Sequence, residues 1–172
     1  MNTSATSKRH PRLLALTLFA VLGSGSAGGV FFAFSSFIMK ALARIPSEEG
    51  IAAMQSINVS VINLSFAIQL FGTSAVCIAL GAWALLHWQA AGSRYLLAGS
   101  LLYLAAMGTT FGFNVPLNDA LANLHPADAS AARYWEFFVP RWTAWNHIRT
   151  VGCLAAAASF TLAILQFGRA RS

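Results

Sequence analysis

Residues Val59 to Leu86 read VSVINLSFAIQLFGTSAVCIALGAWALL, a stretch without a single charged side chain. A helix needs about 20 apolar residues to cross the hydrocarbon core of a bilayer, and this stretch is longer. Three further stretches are apolar over a similar length: Leu13 to Ile38, Tyr95 to Val115 and Trp145 to Phe167. In lipid only helices and closed barrels satisfy the backbone polar groups, and barrel strands are short and alternate in polarity. The four stretches therefore predict an all-α fold, a bundle of four transmembrane helices with a long outer segment between the third and the fourth.

The composition of the 172-residue chain agrees with this prediction. Hydrophobic residue types make up 57% of the chain and charged types 9%, with a mean hydropathy of +0.62. Soluble domains contain about a quarter charged residues, and disordered chains are poor in apolar ones, so both classes are excluded. The formal net charge is +6, and the positive charges lie at the ends of apolar stretches. That pattern predicts contact with a lipid bilayer and no nucleic-acid partner.

The two ends of the chain set the expected domain limits and topology. We expect a disordered basic tail at residues 1–12, one transmembrane domain at 13–168 and a basic tail at 169–172. The first apolar stretch also fits a cleaved signal peptide, because basic residues precede it and small residues follow at 24–27. Its apolar character continues through Phe37, which favours a retained helix. The even number of spans and the Lys/Arg distribution predict cytoplasmic termini and a protein integral to a bacterial inner membrane.

A few residues indicate where the helices begin. Ser47 is a candidate cap of the second helix, which is then expected to continue to about Trp88. Asp128 or Ser130 is expected to cap a short separate helix, and Pro140 suits the first turn of the fourth helix. The second helix is too long to lie wholly within lipid, so its first turns are expected to project beyond the membrane.

The fourth helix carries the sequence RWTAWNHIRTVGC at residues 141–153. Residues three or four apart share one helix face, so Trp142, Trp145, Asn146 and Arg149 form a polar and aromatic stripe. An arginine within a membrane helix is costly and marks a candidate site. Arg149 either faces a cavity and holds a substrate oxygen, or is tied to a carboxylate or to helix-end carbonyls, or contacts lipid headgroups.

The end of the third helix carries a second group of polar residues. Asn114 and Asn118 are four positions apart, with Pro116 between them. A proline leaves a backbone carbonyl of the preceding turn without its usual donor, so polar partners are needed nearby. The two asparagines either satisfy this broken helix end or line a pocket opposite Arg149, and the two roles are compatible.

Four further residues complete the candidate site. Gln55 and Asn58 of the second helix are expected at the depth of Arg149. His147, next to the stripe, and Asp119 are the candidate catalytic bases. The histidines and cysteines lack the spacing of a metal site, so we predict no metal. The chain also lacks a phosphate loop or a dinucleotide fingerprint, so no bound cofactor is predicted.

Taken together, these features are similar to those of one family. They are a first helix rich in glycine and phenylalanine, Asn58 after a Met-Gln pair, the motif Asn114-Val-Pro-Leu-Asn118 and the motif Trp142-x-x-Trp145-Asn146-x-x-Arg149. In this order, and over nearly the whole chain after Arg12, the sequence resembles the anthrone oxygenase-like family of small four-helix membrane proteins. Most bacterial members of that family have no assigned activity.

The resemblance implies an oxidoreductase. Members with an assigned activity are oxygenases that convert an anthrone into an anthraquinone with dioxygen and without an evident cofactor. The implied partners are therefore a planar aromatic molecule and dioxygen, with Arg149, Asn146 and Asn114 stabilising an anionic substrate oxygen. The residues then expected to bind the substrate are Gln55, Asn58, Asn114, Asn118, Trp142 and Trp145.

Two other functions fit the same residues. The bundle binds a quinone or a lipid without turnover, or it acts as a structural or partner subunit held together by its polar cluster. A homo-oligomer is compatible with each of the three functions.

Overall fold

The computed structural model describes residues 11–169, and the parts of the predicted tails at 1–10 and 170–172 lie outside the described residues. Within residues 11–169 the chain is helical and contains no strand. We number five helices. They are α1 (Pro11–Leu42), α2 (Ser47–Ser60), α3 (Leu64–Leu86), α4 (Ser93–Ala122) and α5 (Ala129–Arg169).

Four of these helices, α1, α3, α4 and α5, are long and apolar enough to cross a membrane. Each packs against the next of the four along the chain, and α1 closes the ring by packing against α5. This arrangement is an up-and-down four-helix bundle, and it confirms the predicted fold class.

Small residues let the helices approach closely. A Cβ placed on Gly99 of α4 would lie only 2.8 Å from the ring of Phe160 in α5. A Cβ on Gly152 of α5 would lie 3.2 Å from the backbone carbonyl of Leu102 in α4. Membrane helices associate through such van der Waals packing, because lipid offers no hydrophobic force between them.

The expected uninterrupted second helix is wrong, because the chain turns at residues 61–63 and forms two helices. Asn63 is the cap of α3: its side chain accepts a hydrogen bond from the Phe66 N–H at 2.9 Å. Its amide also donates to the Ser60 carbonyl at 2.9 Å, so one side chain satisfies groups on both sides of the turn. Ser47 is the first residue of α2, and the cap position is occupied by Pro46.

The short helix α2 lies across one end of the bundle, which we call the α2 end. Its residues Ile51 and Met54 pack with Trp135 and Phe138 of α5 and with Leu121 of α4. All five side chains are buried. This apolar cluster fixes α2 over the bundle.

The predicted beginning of the fourth helix is also wrong. α5 starts at Ala129 and continues through Pro140 to Arg169, so Pro140 is interior and no separate short helix precedes it. An interior proline costs a helix about 3 kcal/mol or more. The buried rings of Trp135 and Trp142 on either side of Pro140 hold α5 in place. Because α4 extends to Ala122, the region between the third and fourth spans is largely helical, and only residues 123–128 are not.

Two π-helical segments lie at the α2 end, Phe34–Ile38 within α1 and Thr110–Asn114 within α4. In the second, the Val115 N–H bonds to the Thr110 carbonyl, one residue further back than in an α-helix. This wider turn comes directly before Pro116, whose missing N–H would interrupt a regular helix. π-helical turns occur frequently at functional sites.

Candidate functional site

A cavity of about 500 Å³ lies at the α2 end, between α1, α3, α4 and α5. We call it the inner cavity. Its wall is mainly apolar, and the polar side chains that border it belong to Asn63, Thr110, Asn114, Asn118 and Arg149. The volume and this mixture of apolar wall with few polar groups are typical of small-molecule sites.

Arg149 is only 5% exposed. The Cζ atom of its guanidinium lies 4.3 Å from the ring centroid of Phe31 and 5.0 Å from that of Trp142. Its Nη2 donates to Asn146 Oδ1 at 2.6 Å, and its Nε is buried without a hydrogen-bond partner. The rings attract the cation through their faces, but they do not neutralise its charge.

The charge of Arg149 has no acidic partner among residues 11–169. All acidic side chains of the chain are exposed, whereas Arg149 is buried in the bundle. The structure therefore gives no support to an arginine tied to a carboxylate, nor to one that reaches lipid headgroups. A buried, uncompensated cation beside an apolar cavity is suited to holding an anionic oxygen.

Asn146 connects Arg149 to the first helix. Its Nδ2 donates to the Phe31 carbonyl at 2.6 Å and to Ser35 Oγ at 2.7 Å, while its Oδ1 accepts from Arg149. Ser35 Oγ also lies 3.2 Å from Thr150 Oγ1. This buried network fixes the position of Arg149 between α1 and α5.

The two sequence motifs meet at Trp142. Asn114 Nδ2 donates to the Trp142 carbonyl at 3.1 Å, and Trp142 Nε1 donates to Asn118 Oδ1 at 2.8 Å. The asparagines of α4 therefore hold the tryptophan whose ring lies against Arg149. The Oδ1 of the same amide can accept a hydrogen bond of its own, but it is buried without a partner.

A second cavity of about 460 Å³ adjoins the inner cavity under α2, and we call it the outer chamber. Its polar lining consists of Gln55, Asn58, Asn118 and Asp119. Asn118 and Val115 border both cavities. Asp119 is exposed, and the Nδ2 of Asn58 is buried without a partner.

Gln55 holds α2 against the end of α4. Its Nε2 donates to the carbonyls of Leu121 and Leu124, each at 2.9 Å. Gln55, a predicted substrate-binding residue, thus uses its amide nitrogen in a structural contact. It borders the outer chamber and does not border the inner cavity.

His147 and Trp145 do not border the inner cavity. His147 is exposed and lies one helix position beyond Asn146, which turns its side chain to another face of α5. Trp145 stacks on Phe113 with their ring centroids 3.6 Å apart. Within residues 11–169 no group of three His, Cys, Asp or Glu side chains is placed to hold a metal ion.

The sequence reasoning missed Thr110, Ser35 and the turn at residues 61–63. Thr110 could have been found, because it precedes Asn114 by four residues and Asn118 by eight, and so continues one helical stripe. Ser35 was hidden in a run of phenylalanines, although it follows Phe31 by one turn. The turn was hidden in an apolar stretch that reads as one helix.

The family model described as anthrone oxygenase matches residues 63–159 of the chain. The matched region contains α3, α4 and most of α5, and with them Asn114, Asn118, Trp142, Asn146 and Arg149. Neither a curated protein nor a solved structure matches the chain.

Proposed function

Because the chain belongs to the anthrone oxygenase family, we propose that it oxidises a planar aromatic ketone of the anthrone class to the quinone with dioxygen and without a bound cofactor. The observation that carries the proposal is the buried guanidinium of Arg149, which borders an apolar cavity and has no acidic partner within residues 11–169. The remaining features of the site fit this chemistry.

The wall of the inner cavity suits a flat aromatic molecule. Phe31, Phe66, Phe71 and Phe111 all border it. Aromatic rings favour offset-stacked or edge-to-face contacts with another ring system. A ligand with its rings among these side chains and one oxygen at Arg149 contacts both the apolar wall of the cavity and its buried cation.

The reaction begins with the loss of a proton from the methylene carbon opposite the ketone. The electrons move to the ketone oxygen, and Arg149 stabilises the resulting oxyanion, which makes the proton easier to remove. The anion passes one electron to dioxygen, and the radical and superoxide combine into a peroxide at the methylene carbon. Protonation and loss of water then leave the second carbonyl. In total the carbon loses two hydrogens and gains one oxygen atom, and the other oxygen atom leaves as water.

The base that removes this proton must act from outside the inner cavity. None of the side chains that border the inner cavity is a carboxylate or a histidine. Asp119 lies in the outer chamber, which adjoins the inner cavity at Asn118, and we propose that the proton leaves by that side. His147 has no place in the mechanism, because it faces away from both cavities.

The bilayer is part of the proposed function, since an apolar substrate concentrates in it. The described chain has the helices of a membrane protein. We propose that the protein lies in a bacterial inner membrane, and the distribution of basic residues favours cytoplasmic termini.

The test is a reaction of the purified protein in lipid nanodiscs with anthrone and isotopically labelled dioxygen, without added flavin or metal. We expect anthraquinone to form faster than in empty nanodiscs, with one labelled oxygen atom in the new carbonyl and the other in water. Product formation at the rate of the empty nanodiscs would contradict the proposal.

A second candidate function is binding of a quinone without turnover. It is favoured by the same observation that no carboxylate or histidine borders the inner cavity, so that no general base stands beside the ligand. In that case anthraquinone binds to the nanodisc-embedded protein and raises its thermal stability, while anthrone is not consumed above the background rate.

A further inference from the structure

The inner cavity opens through the side of the bundle, between α3 and α4. Four of the side chains that border it are also exposed on the outer surface: Leu64 by 76% and Phe71 by 57% on α3, Phe111 by 51% on α4, and Ile62 by 85% in the turn before α3. All four are apolar, as is expected of a surface that contacts lipid tails. The same side chains therefore form both the wall of the cavity and its rim toward the bilayer.

Two phenylalanines stand across this opening. Phe71 of α3 and Phe111 of α4 stack with their ring centroids 5.9 Å apart and their planes 20° apart. The pair joins α3 and α4 across the opening by a ring contact. Rings held only by stacking can move aside at small cost, since an aromatic pair contributes about 0.5–1.5 kcal/mol beyond its burial.

The other approach to the inner cavity is unfavourable for an apolar molecule. It leads through the outer chamber, past the polar side chains of Asn58 and Asp119. Helix α2 covers that side and is held down by both hydrogen bonds of Gln55. An apolar ligand that took this route would first leave the bilayer for water. That transfer costs a free energy of about 25 cal/mol for each Å² of apolar surface exposed.

We propose that the ligand enters the inner cavity sideways from the bilayer, between α3 and α4, and that Phe71 and Phe111 are the gate that limits its access. The inference rests on the proposed function in taking the inner cavity as the site of an aromatic ligand. It adds a route and two specificity-determining side chains that do not touch the reacting atoms. Because the two rings are in stacking contact, a planar aromatic molecule passes between them only when they separate.

The direct test uses anthraquinone, which is not consumed, and the intact protein in lipid nanodiscs. Stopped-flow quenching of the tryptophan fluorescence gives the association and dissociation rates. We compare the wild type with the double variant Phe71→Ala/Phe111→Ala. Removal of a gate lowers the barrier to entry, so the association rate is expected to rise about tenfold. The dissociation rate should rise by at least as much, because Phe71 and Phe111 also form part of the wall of the inner cavity.

The matched control is Phe32→Ala/Phe37→Ala. Phe32 and Phe37 of α1 are 55% and 60% exposed, similar to the gate pair, and neither borders the inner cavity. Both rates are expected to stay at the wild-type values. A second variant, Phe111→Trp, narrows the opening and is expected to lower kcat/KM for anthrone with a smaller effect on kcat, which a purely structural role of the ring would not produce.

Unchanged association rates in Phe71→Ala/Phe111→Ala would overturn the proposal, as would equal rate changes in the control pair. A slower association caused by Asn58→Trp in the outer chamber, with no effect of the gate variants, would assign access to the α2 side instead. The result is separable from the proposed function, because anthraquinone binding kinetics report the gate even if no anthrone is oxidised.

Discussion

The two ends of the bundle are built from the same helices but are packed differently. At the end remote from α2, regular α-helices pack through Leu80, Leu96 and Phe160, with Gly99 giving room to the ring of Phe160. The α2 end has a turn within an apolar stretch, two π-helical segments and a buried cation. Of the five buried side-chain polar atoms without a partner in residues 11–169, three lie at the α2 end, on Asn58, Asn114 and Arg149, and the other two are Gln69 Oε1 and the hydroxyl of Ser100.

The residues of the remote end stabilise the bundle by close packing, whereas several residues of the α2 end do not contribute to its stability. Close packing of large against small side chains stabilises membrane helices. Unpaired polar atoms and an uncompensated charge do not, because each costs free energy when it is buried. An arrangement that retains several of them around one cavity is explained most simply by a ligand that supplies the missing partners.

The largest effect on stability is expected at the remote end, from Phe160→Ala. Phe160 is fully buried, and its removal leaves a cavity against Gly99. Substitutions of this kind cost about 3–5 kcal/mol of unfolding free energy. Unfolding in mixed detergent micelles measures the loss, and turnover per folded molecule should stay at the wild-type value. A loss of turnover in the folded fraction would show that the two ends are coupled.

A smaller loss of stability, joined to a loss of turnover, is expected from Asn146→Ala at the α2 end. The substitution leaves Arg149 Nη2 without its acceptor and Ser35 Oγ without its amide donor. We expect an unfolding free energy lower by about 2 kcal/mol. Because Arg149 is then no longer positioned, turnover of anthrone should fall together with quinone affinity. Full turnover in this variant would mean that the network does not position the arginine.

The smallest effect is expected from His147→Ala. His147 is exposed on a face of α5 that does not border the inner cavity. Substitutions at such positions change the unfolding free energy by no more than about 0.5 kcal/mol. Turnover, measured over the pH range in which histidine titrates, should follow the wild-type curve. A lost or shifted pH dependence would restore His147 as the base.

The spacing of residues predicted the parts of this molecule that depend on one helix at a time. The apolar stretches gave four membrane helices, and the three-to-four spacing grouped Trp142, Asn146 and Arg149 on one face. Asn114 and Asn118 were placed at the correct end of the bundle. Both asparagines bond to Trp142, and these contacts depend on how α4 and α5 are rotated relative to each other. The spacing of residues within one helix does not predict that rotation.

The predicted helix ends were wrong where one residue favours a break in the helix and its neighbours favour continuation. Asn63 has the side chain of a good cap, but the apolar residues on both sides of it favour an unbroken helix. Pro140 suits a first turn, yet the buried cluster of Trp135 and Phe138 keeps the chain helical before it. In both places the packing of α2 on the bundle decides the outcome. His147 was a candidate because of its neighbours along the chain, and one helix position was enough to turn it away from them.

The most direct test of the account is the turnover of anthrone by Arg149→Met in lipid nanodiscs, beside the matched control Arg141→Met on the exposed surface of the same helix. The substitution removes a buried charge but leaves Asn146 Oδ1 without its donor, so we expect the unfolding free energy to fall by no more than about 1–3 kcal/mol, and turnover is compared per folded molecule. Loss of an oxyanion partner lowers kcat by about a hundredfold or more. We predict that loss for Arg149→Met and wild-type turnover for Arg141→Met. Equal turnover in the wild type and in a folded Arg149→Met variant would contradict the account.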